Sequence, residues 1–279
     1  MSDAPWFAVR VRPRGGDDAR EAAIAALFDA GSQGIQEDGE AVLTQFPPET
    51  DVDAIRRALL AADPSADVTI GPAEPVDWTE GWKAHIGVHE LGALAVAPPW
   101  LAEGRDMATT IVIDPGMAFG TGDHPTTRGV LRLLPNVVRP GDFVADLGAG
   151  SAVLSIAAAK LGASRVVAIE FDPEAIGNAE ENVRRNGADG VVTVVQGDAN
   201  LLLPLVAPVR VIVANIISSV LVGLLPAMRA ALPADGAAIL SGILVEERER
   251  MMEATAVYGL RVDAEDVEGA WWTAVVRPA

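Results

Sequence analysis

The chain has 279 residues, half of them hydrophobic and 22% charged, which suits one large domain or two ordinary ones and excludes a disordered or low-complexity chain. With 39 acidic and 21 basic residues the formal charge is −18, which repels nucleic-acid phosphate and attracts cationic partners. There is no cysteine, so disulfides, thiolate metal sites and a cysteine nucleophile are excluded.

The first ten residues, MSDAPWFAVR, lack the basic and apolar regions of a signal peptide. No apolar run free of charges and breakers reaches about 18 residues, so the expectation is a cytoplasmic protein with no membrane span. Residues 6–11 alternate as a strand does, and a helix starts at Asp17 with Ile24, Leu27 and Phe28 on one face. Gly31 stops that helix, Ile35 lies in a short strand, Gly39 allows a turn and residues 41–46 make a third strand. A second helix over 51–62 turns Ile55, Leu59 and Leu60 inward, and 68–70 is a last strand. The order β-α-β-β-α-β predicts a ferredoxin-like α+β domain over residues 1–70. Its 13 acidic and 6 basic residues, without paired aromatics, argue against RNA and for docking of a basic protein.

Residues 71–108 read as a linker and connecting region, opening with the semi-rigid Gly71-Pro72-Ala73-Glu74-Pro75. Trp78 and Trp82 stand at helical spacing and are expected to pack as core or as an interdomain wedge. His85 and His89 are also four apart, but Gly87 lies between them and no third ligand follows, so no metal site is expected.

From 109 to 279 strands and helices alternate. Apolar strands are expected at 109–113, 143–146, 165–169, 191–195, 209–214 and 237–240, with helices at 152–161, 173–186, 219–231 and 246–256. Two final strands, 260–267 and 271–276, are separated only by Glu268-Gly269-Ala270 and must form an antiparallel hairpin. This is a doubly wound parallel sheet closed by an antiparallel strand.

The loops after these strands carry the chemistry. Asp146-Leu147-Gly148-Ala149-Gly150 follows a strand and opens a helix, where glycines admit a ligand to the backbone. A pyrophosphate would be repelled by Asp146, whereas the cationic S-adenosylmethionine would not. Glu170, at the end of the next strand, can accept from both ribose hydroxyls. Asp198 offers an acceptor for the adenine amino group, or a helix cap. Asn215, an amide in the apolar run 211–221, needs partners if buried and can hold an amine nucleophile through its carbonyl. The glycine-rich segment 114–127 can fold over a cofactor, with Phe119 against a flat part and Thr126 or Thr127 as hydroxyl partners. His124 reads as structural.

These residues resemble the PrmA family, bacterial methyltransferases of a large-subunit ribosomal protein. The resemblance rests on the Phe119-Gly120-Thr121-Gly122-Asp123-His124-Pro125-Thr126-Thr127 run, the Asp146–Ser151 loop, Glu170-Phe171-Asp172-Pro173, Asn186-Gly187 and Ala214-Asn215-Ile216. Leu240-Ser241-Gly242-Ile243-Leu244 and Trp271-Trp272 extend it over nearly the whole chain. It implies an N-terminal recognition domain and a seven-stranded class I methyltransferase domain binding S-adenosylmethionine. Site residues by this reading are Phe119, Thr121, Thr127, Asp146, Gly148, Gly150, Glu170, Asp198 and Asn215, the last also catalytic. It further implies methylation of lysine ε-amines and the N-terminal α-amine of a basic ribosomal protein; separately, a monomer with no direct nucleic-acid or membrane partner is expected. There are three departures from the family pattern. Ala152 stands in place of glycine, Glu170 in place of aspartate, and Ile217-Ser218-Ser219-Val220 in place of Leu-Ala-Gly-Pro. The rival readings are a methyltransferase of this fold acting on another protein or a small amine, and a cofactor-binding homologue without turnover.

Overall fold

The computed structural model describes residues 6–32, 35–39, 41–48, 50–72, 86–114, 120 and 122–279. The chain divides into two units, Met1–Ala84 and His85–Ala279. In the first, β1 (Phe7–Arg12), α1 (Asp17–Asp29), β2 (Gln36–Asp38), β3 (Ala41–Phe46), α2 (Val52–Ala62) and β4 (Asp67–Pro72) follow in the expected order. The sheet is antiparallel, in the order β2-β3-β1-β4. Val9, Val11, Leu27, Val42, Phe46, Ile55 and Leu59 form its core. Phe28 and Leu60 are exposed rather than inward. Each follows a fully buried leucine by one position, about a quarter-turn of helix, so the stripe that meets the sheet cannot include both neighbours.

The second unit begins earlier than the connecting region predicted. Residues 86–108 are not a plain link: β5 (His89–Leu91) and β6 (Leu94–Ala97) form a hairpin around Gly92, followed by a 3₁₀ turn at Pro99–Leu101. The strand expected at 109–113, β7 (Thr110–Val112), pairs parallel to β6 in this small separate sheet. Trp78, Trp82 and His85 lie outside the described residues. His89 pairs instead with Asp123 at 2.6 Å.

Downstream run α3 (Pro125–Leu133), β8 (Phe143–Leu147), α4 (Val153–Lys160), β9 (Arg165–Glu170), α5 (Pro173–Arg185) and β10 (Val192–Gln196). They are followed by α6 (Ala199–Val206), β11 (Val211–Asn215), α7 (Ser218–Ala231), β12 (Ala237–Leu244), α8 (Arg248–Val257), β13 (Leu260–Glu268) and β14 (Trp271–Pro278). The seven strands β8–β14 form one sheet, in the order β10-β9-β8-β11-β12-β14-β13. β14 runs antiparallel to both its neighbours and the other ladders are parallel. Both faces are covered: along β11, Val211 and Val213 face one core, and Ile212 and Ala214 the other. Helix α6 was not expected, because Pro204 interrupts its short leucine run. Among the described residues no helix is long and apolar enough to cross a membrane.

Ala152, the N-cap of α4, is left-handed at φ 65° and fully buried. The left-handed region costs an L-residue about 1–2 kcal/mol. Burial of the methyl returns about 0.8 kcal/mol, and glycine would free the unfolded chain by about 0.4–1 kcal/mol. These terms nearly cancel, so Ala152→Gly is expected to leave stability within about 1 kcal/mol. Ala152→Val adds a β-branch where none fits and should cost more than about 2 kcal/mol. Urea unfolding of both variants checks this, and equal losses would contradict it.

Candidate active site

In this strand order the direction of winding reverses between β8 and β11, so the loops after these two strands leave in opposite directions and open a crevice at their carboxyl ends. A cavity of about 480 Å³ sits there. Its walls include Gly148, Ala149 and Gly150 after β8, Glu170 after β9, Asn215, Ile216 and Ile217 after β11, and Gly242 in β12. Gly120, His124, Thr126, Thr127 and Trp271 also line it.

Two glycines make room for one side chain. Gly148 has φ +72°, and a Cβ there would lie 2.5 Å from Ile216 Cγ2. Gly242 has φ +83°, in a strand whose register shifts between Leu240 and Ile243, and a Cβ there would lie 2.4 Å from Ile216 O. Any side chain at either position displaces Ile216, and with it Asn215.

Glu170 sits on the cavity wall with both carboxylate oxygens committed to backbone: Gly150 N donates to Oε2 at 2.7 Å and Asp172 N to Oε1 at 2.8 Å. Each oxygen keeps a lone pair for a further donor. Asn215 Nδ2 donates to Thr127 Oγ1 at 3.2 Å, so the amide bridges β11 and the fully buried Thr127 of α3. No hydrogen bond reaches Asn215 Oδ1 among the described residues. His124 caps α3: Thr126 N donates to its Nδ1, its ring meets Trp271 edge to face at 4.8 Å, and burial with nearby Arg128 pushes its pKa down.

Two expected cofactor residues sit elsewhere. Asp146 does not line the cavity. It alternates with Ala145 and Leu147 to the other face of the sheet, where Ser155 Oγ of α4 donates to its Oδ2 at 2.6 Å. It is fully buried, and its Oδ1 has no hydrogen-bond partner among the described residues. Asp198 caps α6 by accepting from Asn200 N at 2.8 Å and is also absent from the cavity wall. Phe119 and Thr121 lie outside the described residues. Thr127, Gly148, Gly150, Glu170 and Asn215 are brought together. Ala152, though it departs from the resemblance, is not on the cavity wall; its methyl packs into the core.

The profile of the family described as "Ribosomal protein L11 methyltransferase (PrmA)" matches residues 15–278. The chain belongs to this family. A ribosomal protein L11 methyltransferase of Pelotomaculum thermopropionicum is 42% identical over 224 residues, 79% of this chain and 71% of that protein. One of Thermus thermophilus is 36% identical, over 93% of this chain and 96% of that protein. A crystal structure of a ribosomal protein L11 methylase from Lactobacillus delbrueckii subsp. bulgaricus superposes with a TM-score of 0.59 at 32% identity, over 70% of this chain and all of that one.

Within this methyltransferase fold, the sequence gave no role to Trp271, Ile216 or Gly242, which all shape the cavity. It also missed Asn182, which is fully buried on α5. Its Nδ2 donates to Ser151 O at 3.2 Å and its Oδ1 accepts from Asp114 N at 3.0 Å. One amide therefore ties the glycine loop to the start of the segment at Asp114. Ser151 Oγ adds a bond to Gly120 O at 2.8 Å. The legible signal was an asparagine inside the apolar stripe Ala175, Ala179, Val183.

Burial raises the Asp146 pKa from 3.8 to about 7, with Glu170 adding to the rise against the Ser155 bonds. Between those values the folded chain keeps a proton that the unfolded chain releases. Asp146 therefore contributes stability that is full below pH 3.8 and is lost as the pH rises through about 7. The loss is on the order of 4 kcal/mol. Asp146→Asn removes it, so the melting temperature of the variant relative to the parent should climb between pH 4 and pH 8. A difference that stays flat or falls would contradict this assignment.

Proposed function

We propose that the chain transfers methyl groups from S-adenosylmethionine to lysine ε-amines and the N-terminal α-amine of ribosomal protein L11, in the cytoplasm. The observation that carries this reading is the convergence of a side-chain-free glycine loop, a carboxylate and an amide on one largely apolar cavity. The residues fit the cofactor. Gly148 and Gly150 would admit it to the backbone, Glu170 has lone pairs for a ribose, and Thr127 and Asn215 line the same cavity. When bound, S-adenosylmethionine supplies an electrophilic methyl on a cationic sulfur.

The rest is the chain's own work. A lysine ammonium has a pKa near 10.4 and must lose a proton before it can attack. Ile217 and Val220 stand exposed at the mouth of the cavity, and an amine passing between them leaves water, which lowers that pKa. Asn215 Oδ1 is free to accept from the neutral amine and aim its lone pair, while solvent takes the proton. Holding the two reactants in line can supply roughly 7–11 kcal/mol of the barrier. The N-terminal unit, rich in acid, is the docking module for the basic client in this reading, and association weakens with salt.

Asn215→Ala tests the role given to the amide. Turnover on ribosomal protein L11 should fall roughly ten- to a hundredfold, the range expected for a misplaced nucleophile. Affinity for S-adenosylhomocysteine, measured by calorimetry, should change little. Unchanged turnover would remove Asn215 from catalysis.

A further inference from the structure

Trp271 reaches the cavity from the tip of the β13–β14 hairpin, where Glu268 and Trp271 are the last paired residues before a turn of Gly269 and Ala270. A hairpin tip of this kind is not held in place by its own short turn. Here it is held on one side by β12, where Trp271 pairs with Leu244 and Val245 N donates to Ala270 O at 2.9 Å, and on the other by charge. Arg128 of α3 donates through Nε to Glu268 Oε1 at 3.0 Å, and its Nη2 reaches the same oxygen. Arg132, one helical turn on, pairs with Glu268 Oε2 at 2.8 Å and donates through Nε to Asp266 at 2.9 Å. Arg128 Nη1 also donates to Asp123 O, in the loop that delivers His124. One guanidinium thus binds both β13, the cross-strand neighbour of the strand that carries Trp271, and the loop that carries the His124 ring.

The arrangement is costly if stability is its only purpose, because part-exposed ion pairs return about 0–1 kcal/mol each. What forked arginine–carboxylate pairs do supply is fixed geometry. Small residues set α3 flush on the sheet at the same place. A Cβ on Gly129 would lie 2.5 Å from Thr273 Oγ1, and Ser241 Oγ bonds both Thr273 Oγ1 at 2.7 Å and Thr126 O at 3.0 Å. Cross-strand partners share a face, so a shift of Glu268 carries Trp271 with it.

We propose that Glu268 is a positioning residue for methyl transfer: its ion pairs with Arg128 and Arg132 fix Trp271 against His124 as one wall of the cavity that receives the acceptor amine. The proposal rests on the methyl-transfer reading of that cavity. Positive charge grows on the acceptor nitrogen as the methyl group is transferred, and an indole in the wall attracts that developing cation.

The test uses the full chain and the variants Glu268→Gln, Trp271→Ala and the pair. The chain has three histidines, so the His124 imidazole protons can be assigned by NMR, and the indole beside them shifts their resonance. Glu268→Gln should move the His124 signals and lower kcat/KM for ribosomal protein L11 roughly tenfold, with S-adenosylhomocysteine affinity nearly unchanged. In the Trp271→Ala background the same change should add almost nothing, and the swap Arg128→Glu with Glu268→Arg should restore part of the rate. If Trp271→Ala does not fold, Trp271→Phe takes its place. His124 signals unmoved by Glu268→Gln, or an equal loss of rate in the Trp271 variant, would overturn the proposal. A parent chain without turnover would count against the functional reading alone, and the His124 shift would still decide the positioning role.

Discussion

Ile216 is wedged between two α-carbons that can bear no side chain. Gly148 meets its Cγ2 and Gly242 its carbonyl, each at a separation a Cβ would close. This contact brings the loops after β8 and β11 and the bulged end of β12 within backbone reach of one another. The crevice expected at the reversal of strand order becomes a cavity of defined width because of it. Asn215 precedes Ile216, so the amide on the cavity wall is set by the same wedge. The Thr127 bond then couples it to α3.

Polar groups do the rest of the holding, and most of them act on backbone. Glu170 fastens Gly150, Asn182 fastens Ser151 and Asp114, and Ser151 fastens Gly120. Loops rich in glycine lose the most entropy on ordering, and these buried or half-buried acceptors and donors offset that loss. The exception is Asp146, sealed beneath the loop with one oxygen unpartnered among the described residues. A carboxyl whose pKa burial raises to about 7 carries less than a full charge near Glu170 at neutral pH.

Much of this was legible in the sequence, for reasons that differ by element. The β-α-β-β-α-β order and the closing hairpin could be read because period-two and helical patterns are strong there and the turns are short. β5 and β6 are three and four residues long, below the length at which a period shows. The glycine loop and Glu170 could be read onto the wall of one cavity because residue type and strand end coincide. Asp146 and Asp198 were read as cofactor residues by the same logic and do not line the cavity, one because of strand alternation and one because it caps a helix. Trp271 was legible only as part of the resemblance, because its neighbours at the cavity, Leu244 of β12 and the His124 ring, lie far from it in sequence.

The central claim is that one cavity, built on the Ile216 wedge, brings a methyl donor and a lysine-bearing client together. The most direct measurement is the intact mass of free ribosomal protein L11 after incubation with this chain and S-adenosylmethionine. The account predicts mass gains in methyl steps that require the cofactor. An unchanged mass, with cofactor binding established separately, would contradict it.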